Sequence, residues 1–482
     1  MTTAPEFRVG CVERFERPVR LRIPFRFGGA TVRKALQAFV RVRIVFPNGA
    51  SATGAAAEMM MPKWFDKSGE RSDADNVADL REALAAAAEA YTADATPRSA
   101  FGHHAMHYRP LLRAAELRRS NALTAGFGAA LVDRAVLDAL CWHERVPFNA
   151  AMRANLPGID AAALTPDLRG IDLAALLRAL QPRSEVALRH TVGLLDPLTA
   201  DEIEARLGDG LPETLEEVIA THRPRYFKLK LSGDPAADLD RISRAAAVLE
   251  RIVDPYHVTL DGNEQFGDID SVIALWQSIA ARGALARFAA SVLWIEQPLP
   301  RDAAEQVSVA SLARAKPVLI DESDATLDAF LRARTLGYTG VSSKSCKGLY
   351  KSVLYAARCA HWNSAGDAPR YFVSGEDLTA PAGLALQQDL ALVGLLRIAH
   401  VERNGHHYVD GFSGQGASEA EQQRFLAAHP DLYERSRGAV QVAIRDGKLC
   451  FASLDAPGYA SGADPDWESL EPAGAIAVTE HP

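Results

Sequence analysis

Cysteine is scarce: Cys11, Cys141, Cys346, Cys359 and Cys450 are the only five in 482 residues. Their odd number, their scatter and the lack of a CxxC pair exclude a disulfide framework and a thiolate metal or redox motif, and fit reduced thiols in a cytosol. A basic excess is also missing. The formal net charge is −8, which leaves no electrostatic footprint for nucleic acid. No apolar run is long enough to span a bilayer, and residues 1–10 lack the apolar core of a secretory signal. The expectation is a cytoplasmic protein with neither nucleic acid nor membrane as partner. What is present, 48% hydrophobic and 24% charged residues, is ordinary for a soluble globular chain. The length exceeds one ordinary core and calls for two domains, or a barrel with an added domain.

Residues 1–150 read as an α+β domain. Apolar and polar residues alternate over 19–27 and 38–46, the mark of half-buried antiparallel strands, with Pro24 to Gly29 as the turn between them. Met59 to Trp64 is an apolar loop or strand end. Helical periodicity covers 75–93 and 127–143, the second reading as a buried helix. Residues 151–184 form a helical connection, broken at Gly170 and Pro182.

From about Glu185 to residue 410 the pattern changes and repeats. A short apolar run ends in a polar residue, a turn follows, then a segment of helical period. The runs are Val186–Leu188, Phe227–Lys230, Val258–Asp261, Val292–Glu296, Val318–Asp321, Val341–Lys344, Tyr371–Ser374 and Leu395–Val401. Strands alternating with helices imply a parallel sheet, and eight units imply a closed barrel. Asp234-Pro235 is a helix start, with Asp as N-cap and Pro in the first turn. Residues 411–482 lose this pattern, and Val440–Arg445 reads as one more alternating strand that returns to the first domain.

Barrel active sites lie at the C-terminal ends of the strands. Reading the polar residue that closes each run gives Lys228 and Lys230, Asp261, Glu296, Asp321 and Lys344. Lysines on one strand repel each other and are costly to bury unpaired, so carboxylates must share their face. Three carboxylates from consecutive strands, flanked by lysines, form a divalent-metal pattern. Oxygen ligands suit Mg²⁺, and no Cys/His cluster competes for Zn²⁺. A lysine accepts a proton only when neutral, and a neighbouring cation lowers its pKa. The Lys-x-Lys spacing supplies one. Two assignments stay open: Lys347 is the nearest rival to Lys344, and Glu322 competes with Asp321 as third ligand.

These motifs resemble the enolase superfamily, in its muconate-lactonizing-enzyme-like branch: Lys228-Leu229-Lys230, Asp261-Gly262-Asn263, Glu296-Gln297-Pro298, Asp321-Glu322-Ser323, and Lys344 with Lys347-Gly348. The resemblance implies a modified (β/α)7β barrel over residues 185–410, with a capping domain from residues 1–150 completed by residues 411–482. It implies one Mg²⁺, with Mn²⁺ as a substitute, on Asp261, Glu296 and Asp321. Lys230 and Lys344 would be acid/bases on opposite faces of a small-molecule carboxylate, and Lys228 an electrostatic partner. Asn263 and Glu322 would support the site. Phe25 to Gly29 and Met59 to Trp64 resemble the two cap loops, so Phe25 and Met60 join Glu376 and Glu402 as substrate-binding candidates. The implied reaction removes a proton α to a carboxylate, as in a racemase, epimerase or cycloisomerase. An acid-sugar dehydratase is the alternative, with His400, His406 or His407 as the added acid. An inactive carboxylate-binding barrel is another. The sixth strand ends in Lys344 and the seventh lacks a His, which departs from the mandelate-racemase-like branch. Ser342-Ser343 and the seventh-strand text Leu378–Gly383 depart from the closer branch. Self-association is left open.

Overall fold

The computed structural model describes residues 4–366 and 368–478, so the reading of residues 1–10 falls partly outside the described residues. Three long strands open the chain: β1 (Arg8–Phe27), β2 (Ala30–Val45) and β3 (Ser51–Met60). They pair antiparallel in the order β1-β2-β3. The Gly28-Gly29 turn closes the first hairpin, with Gly28 at a positive φ of 52°. Helices α1 (Asp73–Ala93), α2 (Ala100–Leu117) and α3 (Ala122–Glu144) follow. Ser72 caps α1 with a capping box, and Asn121 caps α3. The α3 helix is apolar almost all round and is buried along most of its length. The α2 helix has no counterpart in the sequence reading, which ended one helix at 93 and began the next at 127.

Eight parallel strands follow: β4 (Glu185–Val192), β5 (Tyr226–Lys230), β6 (His257–Asp261), β7 (Val292–Glu296), β8 (Val318–Ile320), β9 (Gly340–Ser343), β10 (Phe372–Gly375) and β11 (His400–Arg403). Each pairs with the next, and β11 pairs with β4, which closes the barrel. Asp234 accepts from the amides of Ala236 and Ala237 and so starts the helix Pro235–Leu249, as the sequence predicts. The last strand begins later than expected, at His400, because Leu384–Leu395 is still helix. An apolar run alone does not separate a buried helix from a strand.

Four further strands revise the reading of the tail. Strand β12 (Tyr433–Ser436) pairs with β13 (Ala439–Val442), so Val440 does not rejoin the first sheet. β14 (Lys448–Cys450) lies antiparallel on β4 of the barrel, and only β15 (Glu471–Pro472) reaches β1. No helix is long and apolar enough to cross a membrane among the described residues.

One apolar core runs from the first sheet and its helices into the barrel helices Leu349–Asn363 and Leu384–Leu395. A second fills the space between β4–β9 and their surrounding helices. A histidine cluster lies outside the barrel wall. Arg189 and Thr191 of β4 meet lumen carboxylates, so His190 between them points outward. Its ring lies 5.4 Å from His406 and 5.0 Å from His407, and His222 lies 5.6 Å from His406. Burial lowers the pKa of all four, His222 to about 4.

Two predictions follow from this packing. A Cβ on Gly128 would meet the Ala83 carbonyl oxygen at 2.1 Å, and one on Gly54 the Ala139 amide at 2.2 Å, whereas Gly126 has open space. Gly128→Ala and Gly54→Ala each lose about 1–3 kcal/mol in chemical denaturation, while Gly126→Ala gains about 0.5–1 kcal/mol. The four histidines stay neutral in the fold but charge near pH 6.5 once unfolded. The folded state therefore binds fewer protons below that pH, and stability falls as pH drops from 6.5 towards 4. The slope is up to about 1.4 kcal/mol per pH unit per histidine, and urea denaturation across that range measures it.

Candidate active site at the barrel mouth

Alternation on β5 sends Lys228 and Lys230 into the lumen and Phe227 and Leu229 into the surrounding core. Lys230, Asp261 and Glu296 are in register across β5, β6 and β7. Asp321 follows β8 and Lys344 follows β9. The structure thus brings the sequence-predicted lysines and carboxylates to one end of one barrel. β5 and β9 are four strands apart in either direction, so Lys230 and Lys344 stand on opposite walls.

Lys228 is fully buried and has three N–H donors. They go to Glu296 Oε1 at 2.9 Å, Glu376 Oε2 at 2.8 Å and Glu402 Oε2 at 2.9 Å. Asp261 Oδ2 is also 2.9 Å away and accepts a hydrogen bond from Lys230 at 2.7 Å. Lys344 donates to Asp321 Oδ2 at 2.6 Å. Lys347 reaches Ser342 Oγ at 2.6 Å and Asp324 at 2.8 Å, with Asp321 Oδ1 at 3.5 Å. It therefore props the back of Asp321, while Lys344 meets its front oxygen. Ser342 donates to Asp321 Oδ1, which explains this serine before Lys344.

Glu376 and Glu402, expected to face substrate, lie deeper. Glu376 accepts from Arg189 and Ser374, and Glu402 from Thr191 at 2.7 Å and Asn404 at 3.2 Å. Asn263 donates to Glu322 at 3.1 Å, and its amide N–H meets Asp261 Oδ1 at 2.9 Å. Glu322 also takes Lys67 of the cap at 2.7 Å, so it ties the cap to the barrel, while Asp321 faces the lysines. Lys67 further pairs with Glu264 at 2.8 Å. Nothing in the local sequence marked it, since its partners lie about 200–255 residues away. Arg189 was missed for the same reason: it looks like an ordinary polar residue of an alternating strand.

From the cap, the Phe25 ring lies 6.0 Å from Lys230 Nζ and the Trp64 ring 4.3 Å from Lys344 Nζ. Each lysine therefore has its own aromatic cover. Met60 departs from its expected role. It belongs to β3 and is wholly buried in the cap core, and Trp64 is the residue of that segment that reaches a lysine. The three histidines also depart. His400 opens β11, stacked 4.2 Å from Tyr226 at the far end of the barrel, and His406 and His407 belong to the cluster outside its wall. The added acid that a dehydratase would need is not supplied by these three.

Asp261, Glu296, Asp321, Glu376 and Glu402 face Lys228, Lys230, Lys344, Lys347 and Arg189, so the five carboxylates are balanced by five cations. Burial, then the charges of Asp261 and Glu376, push Glu296 well above the usual carboxylate range. Its Oε2 is buried without a hydrogen-bond partner. Asp321 is held far below its usual value: burial opposes this, but Lys344 and Lys347 prevail. Among the described residues, the oxygens of Asp261, Glu296 and Asp321 are not drawn within 4.8 Å of one another as a set. Ammonium groups hold them instead. The donor set still fits Mg²⁺, since it is all oxygen, comes from adjacent strands and includes one unpartnered buried carboxylate oxygen.

Residues 210–365 match the family model described as "Enolase C-terminal domain-like". No curated protein matches the chain. Among solved structures, a dipeptide epimerase from Enterococcus faecalis V583, complexed with Mg and the dipeptide L-Leu-L-Tyr, superposes with a TM-score of 0.60 at 12% identity, covering 94% of this chain and 99% of that one. A 2-chloromuconate cycloisomerase from Rhodococcus opacus 1CP gives 0.57 at 16% identity, covering 96% and 98%. An enolase superfamily member from Roseovarius nubinhibens ISM, complexed with magnesium, gives 0.57 at 19%, covering 97% and 98%. Residues 210–365 are therefore similar to the enolase C-terminal domain-like family, and the whole chain shares the capped-barrel fold of these solved structures.

Proposed function

We propose that the protein is a Mg²⁺-dependent enzyme that removes the proton α to the carboxylate of a small molecule, forming an enediolate, in a racemisation, epimerisation or cycloisomerisation in the cytoplasm. The observation that carries this reading is the pair Lys230 and Lys344 on opposite walls of one barrel, with strand-end carboxylates between them. Two opposed bases can take a proton from one face and return it to the other.

Asp261, Glu296 and Asp321 would hold the metal, which when bound supplies Lewis-acid stabilisation of the charge that builds on the substrate carboxylate. The chain's own groups do the rest. Burial and Lys228 push Lys344 towards its neutral form, but Asp321 outweighs them and holds it above its usual value. When Asp321 is engaged elsewhere, burial and Lys228 remain, and Lys344 becomes able to accept a proton. On the opposite wall Lys230 donates to Asp261 at 2.7 Å. Trp64 and Phe25 keep water from the two ammonium groups. A cavity of about 580 Å³, lined by Phe27, Val32, Lys63, Lys67 and Gln265 among others, is bordered by none of the proposed bases or metal ligands, and its link to them is Lys67, which pairs with Glu322.

Incubation in D₂O with Mg²⁺ and a panel of carboxylic acids tests the chemistry. Deuterium is expected at the α-carbon, read by mass spectrometry or NMR. Lys230→Ala and Lys344→Ala should each slow exchange on one face by ~10²–10⁴-fold. Exchange that survives the double variant refutes the assigned bases. Chelation is expected to abolish exchange and added Mg²⁺ to restore it, with Glu296→Gln at least ~10²-fold slower at saturating Mg²⁺. Activity indifferent to chelator would remove the metal from the reading.

A further inference from the structure

A second group of metal-type side chains lies in the cap, away from the barrel mouth. Among the described residues, Asp94, His103 and His107 are the one set of three or more His, Cys, Asp or Glu whose ligand atoms all lie within 4.8 Å of one another. Asp94 closes α1. His103 and His107 are four residues apart on one face of α2.

A hydrogen bond fixes which nitrogen of His103 is free. His103 Nε2 donates to the Phe7 carbonyl at 2.8 Å, so its proton sits on Nε2 and the Nδ1 lone pair is unprotonated. That Nδ1 is buried without a hydrogen-bond partner, and so is His107 Nε2. A histidine whose other nitrogen donates to a backbone carbonyl is oriented as a metal ligand is. His107 Nε2 and Asp94 Oδ2 are 3.5 Å apart. Ligand atoms of a tetrahedral site with bonds of ~2.0 Å stand about 3.3 Å apart, so this edge is nearly formed. Burial keeps both histidines neutral, and although burial opposes it, bonds from Arg98 and Thr96 hold the Asp94 carboxyl ionised, down to about 2. Tyr91 flanks both rings, at 6.1 and 4.7 Å. The one competitor is Arg98, whose Nε donates to Asp94 Oδ2 at 2.8 Å.

We infer that Asp94 Oδ2, His103 Nδ1 and His107 Nε2 form a binding site for a divalent transition ion of the zinc type, with the fourth position open to water. Two nitrogens and one oxygen suit zinc and do not suit Mg²⁺. The ion joins the end of α1 to α2 and, through His103 and Phe7, to the start of β1. It is a structural staple of the cap and does not depend on the chemistry proposed for the barrel.

The test uses the full chain, stripped with chelator and dialysed, with zinc or magnesium as probe. Zinc content is read by mass spectrometry and affinity by calorimetry. Glu296→Gln, with the barrel site weakened, should take up one equivalent of zinc and wild type at least one, each with a higher Tm, and magnesium should not replace the ion in the cap. His103→Phe, which keeps an aromatic against Phe7 and Tyr91, His107→Gln and Asp94→Asn should each bind zinc at least ~10-fold more weakly. Arg98→Gln should bind it more tightly, because the carboxylate oxygen is freed. Cobalt should give the visible bands of a tetrahedral site in wild type and not in His103→Phe. Wild-type protein that is folded by circular dichroism yet takes up no zinc overturns the inference. So does zinc uptake that is lost in Glu296→Gln and kept in His107→Gln.

Discussion

The lumen of the barrel is arranged around one buried ammonium. Lys228 lies within 2.9 Å of carboxylates from β6 and β7 and from the ends of β10 and β11. Its Coulomb attraction to them repays a desolvation cost that would otherwise hold it in water, and burial alone would lower its pKa. The converse holds too: four carboxylates could not share so small a volume without a cation among them. Removing such a partner from a buried cluster typically costs about 3–5 kcal/mol.

The lysines nearer the mouth are held differently. Lys230 and Lys344 each have one carboxylate partner, Asp261 and Asp321, and one aromatic from the cap. The protonation of Lys344 therefore depends on what else Asp321 binds. Lys228 has too many partners for any one to control it. Charge state is thus adjustable at Lys344 and fixed at Lys228, one layer below.

The cap is joined to the barrel by polar ties as well as by the shared apolar core. Lys67 reaches Glu322 and Glu264. Arg301 donates to the Phe65 carbonyl at 2.9 Å, and Gln388 to the Ala55 carbonyl at 2.8 Å. These ties bring Trp64 over Lys344, and the hairpin turn brings Phe25 over Lys230. The cap fixes the surroundings of the bases, while the barrel fixes their positions.

Much of this was written locally. Strand periodicity and strand-end polar residues placed Lys228, Lys230, Asp261, Glu296 and Lys344, because in a β/α unit the inward side chain at a strand end is set by parity and the next turn. Asp234-Pro235 marked a helix start because capping is a local hydrogen-bond matter. What the tertiary structure alone decided is which charges meet. The pairing of Lys67 with Glu322 and of Arg189 with Glu376, the outward turn of His190, the burial of Met60 and the gathering of Asp94 with His103 and His107 all depend on how whole elements pack. A side chain's neighbours across a lumen or between helices are set by closure of the sheet and the seating of the cap, and no short stretch of sequence encodes either.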